Sequence, residues 1–103
     1  MKTYNKLVRD NIPEIILLSG SVPITHVADD AEYWNKLKEK LQEEVTELVE
    51  GTNINEELAD ILEVIQAICA FKGINATDLE ETRRKKAETR GAFQKRIVLE
   101  QTS

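Results

Sequence analysis

Cysteine, histidine and aromatic side chains are scarce in this sequence, and each shortage removes a class of chemistry. The single cysteine, Cys69, excludes an internal disulfide and a multi-cysteine zinc site. One histidine, His26, serves zinc chemistry of the usual kind poorly. Only Tyr4, Tyr33, Trp34, Phe71 and Phe93 could stack on bases, and the net charge is -5, so nucleic-acid binding is disfavoured on two counts. No apolar run approaches the ~18 residues of a membrane span. The opening Met-Lys-Thr-Tyr-Asn-Lys lacks the apolar stretch of a signal peptide, so a cytoplasmic protein is expected. What remains is one domain over residues 1–103, with 32% charged residues and a mean hydropathy of -0.41.

The charge is unevenly spread. Residues 29–63 hold twelve acids against three lysines, and residues 72–96 hold eight bases against four acids. Such a distribution suits two solvated helix faces, or a site that needs carboxylates for a hard metal ion and cations for phosphate.

Punctuation divides the chain into helices. Gly20, Gly51, Gly73 and Gly91 each follow a helical pattern where a left-handed cap is wanted. A short helix is expected over about residues 12–18, opened by Asp10 or Asn11, with Pro13 in its first turn. Residues 22–27 are β-prone, with Pro23 arguing for an edge strand or extended loop, and 96–99 is a candidate short strand to pair with them. Asp29-x-x-Glu32 opens a long helix to about Glu50, Asn53-x-x-Glu56 a second to about Lys72, and Thr77-x-x-Glu80 a last one to about Arg90. The fold class is therefore all-α, an antiparallel helical bundle with short terminal strands as its only β component.

Within the long helix Trp34, Leu37, Leu41, Val45 and Leu48 form one narrow apolar stripe. The next helix carries Leu58, Leu62, Ile65 and Cys69 on one stripe, while Ile61, Val64, Ile68 and Phe71 widen it to roughly half the circumference. The short connection at Gly51 makes the two antiparallel. One partner cannot cover so wide a face, so a homodimer, or a pair of dimers forming a homotetramer, is expected. It would bury Ile61, Val64, Ile68 and Phe71 among protomers and bring the basic last helix toward another chain's carboxylates.

Two carboxylate motifs stand out. Glu43-Glu44-x-x-Glu47 lies on the first long helix and Glu57-x-x-Asp60 on the second. With Leu41 at zero, Glu44 falls about 60° and Glu47 about 120° to one side of the stripe, both at its rim, while Glu43 points nearly opposite. Glu57 and Asp60 share a face with Ile61 and Val64, an unusual place for solvated charges. Glu44, Glu47, Glu57 and Asp60 can converge, and four carboxylates that close repel one another unless a cation neutralises them. Oxygen ligands of high charge suit Mg²⁺, and also Mn²⁺. The bland reading is a pair of acidic helix rims.

The order Glu43-Glu44-x-x-Glu47, a short gap, then Glu57-x-x-Asp60 resembles the signature of the MazG-like all-α nucleoside triphosphate pyrophosphohydrolases, a group that includes phosphoribosyl-ATP pyrophosphohydrolase. The run Lys6-Leu7-Val8-Arg9-Asp10-Asn11-Ile12-Pro13-Glu14 and the later Lys86-x-x-x-Arg90-Gly91-Ala92-Phe93 are similar to those of a small, stand-alone branch. The gap before Glu57 is short for that family, and Ala92 stands where a glycine is frequent. The resemblance implies Mg²⁺ on Glu44, Glu47, Glu57 and Asp60, triphosphate on Lys86 and Arg90, and cleavage to the monophosphate and pyrophosphate. Glu47 and Glu43 are the candidate general bases. Two alternatives stand beside it: phosphoribosyl-ATP as substrate, or a non-catalytic helical module whose acidic face binds a basic partner.

The remaining candidates are read more plainly. Arg83-Arg84-Lys85-Lys86 with Arg90, Lys95 and Arg96 is a phosphate clamp or a solvated face, with nucleic acid a distant third. Lys6 and Arg9 either add to that clamp or pair with nearby acids. His26 reads as a structural or surface residue, Cys69 as core, and Trp34 as packing or a subunit contact.

Overall fold

The computed structural model describes residues 2–103. Four helices follow in order: α1 (Ile12–Leu18), α2 (Asp30–Glu50), α3 (Ile54–Lys72) and α4 (Ala76–Arg90). The chain is all-helical, with no strand among the described residues.

Local chemistry sets the helix ends. The Asp29 carboxylate accepts from the Glu32 N–H at 2.9 Å, and the Asn53 side chain from the Glu56 N–H at 3.2 Å. Glu32 does not complete a capping box, because its carboxylate meets His26 Nε2 at 2.9 Å instead. Helix α4 starts before the expected Thr77 cap: Asn75 accepts from the Thr77 N–H at 2.7 Å, and asparagine is the stronger capping residue. Gly73 takes the left-handed cap expected of it, at φ 68°. Gly51 does not. It is extended (φ -80°, ψ 169°), since the three residues from Gly51 to Asn53 must carry the chain straight into α3.

Residues 22–27 and 96–99 form no strand. Val22, Ile24, Val27, Ile97, Val98 and Leu99 are all exposed, and an isolated two-stranded pairing has too little to bury to hold together in water.

The extensive helix-on-helix packing is that of α2 against α3, as an antiparallel hairpin. Leu37 and Val64 are its buried apolar side chains. At the open end of the hairpin Phe71 stands edge-on to Tyr33, with centroids 5.2 Å apart, and stacks on Trp34 at 6.1 Å. Val64 is already buried within the chain, and Phe71 is half-buried against the aromatic pair at the start of α2. The stripe left open is the other one, with Leu58 and Leu62 exposed, together with Val45 and Val49 of α2.

So small a core leaves a large surface. The chain exposes 9342 Å², against about 5,900 Å² for a compact monomer of its mass. Its radius of gyration is 18.0 Å, where about 13 Å is usual for this length.

Candidate metal centre

The geometry of the α2–α3 hairpin decides which acids meet. Glu44 and Glu47 lie one turn apart on α2, Glu57 and Asp60 one turn apart on α3, and antiparallel packing brings the two pairs face to face. One carboxylate oxygen from each of the four lies within 4.8 Å of all the others. Ligand oxygens on a single Mg²⁺ stand about 3.0 Å apart when adjacent and about 4.2 Å apart when opposite, so the four would draw closer together to hold one ion.

Glu44 is not the rim residue that its wheel angle suggests. It is only 5% exposed, because α3 closes over it. Its Oε1 lies 3.2 Å from Lys40 Nζ, while its Oε2 is buried with no hydrogen-bond partner, as is Oε2 of Glu57. Buried polar atoms are nearly always satisfied, so an orphaned carboxylate oxygen on each of Glu44 and Glu57 sets this cluster apart from a solvated acidic rim. Burial pushes the Glu44 carboxyl above its ordinary value; Lys40 opposes that shift and the neighbouring Glu47 adds to it.

Cations from outside the motif frame the cluster. Lys6 Nζ donates to Glu43 at 2.8 Å, and the Arg9 guanidinium donates to Asp60 at 2.7 Å. Lys40 bridges Glu43 and Glu44, at 3.2 Å from each. Burial disfavours the Lys40 charge, but these two carboxylates outweigh it and hold its pKa above the usual value. The Lys6 hydrogen bond, opposed by burial and aided by Lys40, holds Glu43 below the usual carboxylate range. Five acids meet three cations here, and Glu47 and Glu57 have no ion pair among the described residues. Two negative charges are left over, the charge of one divalent ion.

Gly51 contributes by having no side chain. A Cβ there would stand 2.5 Å from the Glu47 carbonyl oxygen and 3.4 Å from Glu57 Oε1. The hard limit is the carbonyl of α2's own last turn, so glycine is what lets the chain leave α2 in this direction, with the Glu57 side chain in ordinary contact beside it.

The structure sorts the expected site residues into two groups. Glu44, Glu47, Glu57 and Asp60 converge, Arg9 joins them through Asp60, and Lys6 reaches Glu43 beside them. Lys86 and Arg90 do not join them within the chain: both are exposed on α4, without an ion pair among the described residues. Their neighbours Arg83, Arg84 and Lys85 pair along the helix with Glu80, Glu88 and Glu81, the behaviour of a solvated face. His26 is likewise a surface residue held by Glu32. Trp34 packs on Phe71, with Lys72 Nζ 4.1 Å from the indole centroid, and Cys69 is half-buried. The residue that sequence reasoning passed over is Lys40. Its signal was the spacing of three and four residues to Glu43 and Glu44, which places a lysine over both carboxylates on one helix face.

No family model matches the chain, and no solved structure matches it. An uncharacterised protein of Mycolicibacterium smegmatis is 54% identical over 43 residues, which is 42% of this chain. The chain matches less than half of that relative, 44% of its length.

Proposed function

We propose that this protein is a Mg²⁺-dependent nucleoside triphosphate pyrophosphohydrolase of the MazG-like kind, a single domain working as a homo-oligomer. The observation that carries this reading is the convergence of Glu44, Glu47, Glu57 and Asp60, two of which carry a buried, unpartnered carboxylate oxygen. The motif resemblance supplies the substrate class and the cleavage point.

Bound by these four residues, Mg²⁺ (or Mn²⁺) would supply charge neutralisation for phosphate oxygens and a water of lowered pKa. The chain does the rest. Glu47 has no cation partner and is exposed at the edge of the cluster, so it can take the proton from the attacking water. Glu43 is the weaker candidate, since Lys6 and Lys40 both hold it in its ionised form. The water oxygen bonds to the α-phosphorus, the bridge to the β-phosphorus breaks, and pyrophosphate leaves with its charge balanced by Lys86 and Arg90.

In this reading those two cations come from a second copy of the chain, since the α4 that carries them makes no extensive contact with its own α2–α3 hairpin. The excess surface supports the same arrangement. Each chain carries about 3,400 Å² more surface than a compact monomer of its mass, enough to supply its share of a permanent interface.

The test is release of pyrophosphate across a nucleotide panel that includes phosphoribosyl-ATP, with Mg²⁺ and with chelator. Asp60→Asn should lower turnover at least about a hundredfold, since losing a ligand should exceed the effect of losing its outer partner. Pyrophosphate release that ignores Mg²⁺, or an Asp60→Asn protein as active as the wild type, refutes the proposal.

A further inference from the structure

The segment before α1 crosses the hairpin at the carboxylate cluster, and it is held there by few bonds. Lys36 Nζ donates to the Asn5 carbonyl at 2.7 Å, Lys6 pairs with Glu43, and Arg9 pairs with Asp60. The strap from Lys2 to Arg9 has no helix or strand of its own, and Asn5 sits at φ 48°, which few non-glycine residues adopt. Its anchors are charges on long, half-exposed side chains, and such pairs are weak and exchange readily.

Arg9 is the anchor with a competitor. Asp60 is one of the four converging carboxylates, and the guanidinium already takes one of its oxygens. An ion held by either oxygen of Asp60 draws off the negative charge that holds the guanidinium, so the pair weakens. The displaced guanidinium stays tethered beside the cluster by Lys6 and Asn5, facing a site that has become less negative by two charges. An unpaired planar fork there matches the oxygens of a phosphate.

Resting on the metal reading above, we infer that Arg9 has two alternative partners: Asp60 when the cluster holds no ion, and a substrate phosphate when it does. The exchange imposes an order, ion first and phosphate second. It also gives the metal-free protein an internal counter-cation that keeps four close carboxylates from repelling the hairpin open. Lys6 differs from Arg9, since its partner Glu43 is outside the converging four and nothing displaces it.

The two roles of Arg9 give opposite signs in one variant. Arg9→Gln removes the competitor, so calorimetric titration with Mn²⁺ alone should show roughly two- to fivefold tighter binding, the scale of an exposed ion pair. The same variant loses the phosphate partner, so Mg²⁺-tripolyphosphate, added with Mg²⁺ in excess, should bind about tenfold more weakly or worse. Arg84→Gln, which removes one α4 charge far from the strap in sequence, should change neither. Arg9→Lys keeps the charge with a poorer fork and should keep Mn²⁺ affinity near wild type while still weakening tripolyphosphate. Weaker or unchanged Mn²⁺ binding in Arg9→Gln, or unchanged tripolyphosphate binding, overturns the exchange while leaving the metal site standing. A wild-type protein that binds no Mn²⁺ overturns both.

Discussion

Replacing Glu44 by glutamine should make the protein more stable without metal and less stable with it. The side chain is 5% exposed, with one oxygen unpartnered, and a buried polar atom left without a partner costs about 1–3 kcal/mol, more when charged. The amide keeps the shape, removes the charge and can donate to Glu47. Lys40 loses one of its two carboxylates but keeps Glu43 at 3.2 Å, which limits the penalty. A net gain of about 1 kcal/mol would raise the melting temperature by about 4–8 °C for a domain of this size, or about half that if two chains unfold together. Mg²⁺ at a hundred times its dissociation constant stabilises the wild type by about 2.7 kcal/mol, and the variant should lose that gain. Thermal unfolding of both proteins in chelator and in Mg²⁺ should therefore reverse their order. The pH dependence adds a check. Because burial raises the folded-state pKa of Glu44, the folded protein holds the proton more tightly than the unfolded chain, and this group's contribution to metal-free stability falls as pH rises from the ordinary carboxylate value through the raised one. Glu44→Gln should flatten that decline. A variant less stable than wild type in chelator, or a wild type that gains nothing from Mg²⁺, refutes the reasoning.

Leu37 is the best-buried apolar side chain, at 1% exposed, and Leu37→Ala should cost about 2–5 kcal/mol, read as a shift in denaturation midpoint; a loss under about 1 kcal/mol would show that the hairpin core is not what holds the fold. Leu62→Lys, on the open stripe of α3, should split the oligomer in light scattering while helix content survives, whereas Val64→Lys should unfold the hairpin; a wild-type protein that runs as a monomer of 11.7 kDa refutes the subunit contact. Arg90→Lys should raise KM and lower kcat together, because a point charge replaces a planar fork, and unchanged kinetics would return α4 to a solvated face.

What the sequence makes legible here is what neighbours along the chain decide. Asp29 and Asn53 announce their helices because capping is a contact across three residues, and the short link at Gly51 dictates antiparallel packing. From these alone the meeting of Glu44 and Glu47 with Glu57 and Asp60 follows. The burial of Glu44 does not follow, since a wheel angle describes one helix and the cover comes from another. Lys6 and Arg9 reach acids 37 and 51 residues away, a distance at which spacing carries no information. Residues 22–27 carry the composition of a strand, yet a strand exists only through its partner. Asn75 was readable in principle: it is a better cap than Thr77 and stands two residues earlier.

Gly51 touches no proposed ligand-binding atom except by leaving room for it, yet the hairpin it closes acts as the ruler of the site. Its backbone angles are ones any residue can adopt, so the constraint on this position is space alone. Residues added between Gly51 and Asn53 would slacken this three-residue link, so that the turn no longer fixes the rotation and height of α3 that keep Glu57 and Asp60 on the shared face. The four acids could all be retained in such a lineage and the centre still be lost. Tolerance to insertion, which is ordinarily highest in a loop, should here be as low as at a carboxylate, and a length scan of the turn would map the centre as sharply as substitution of its acids.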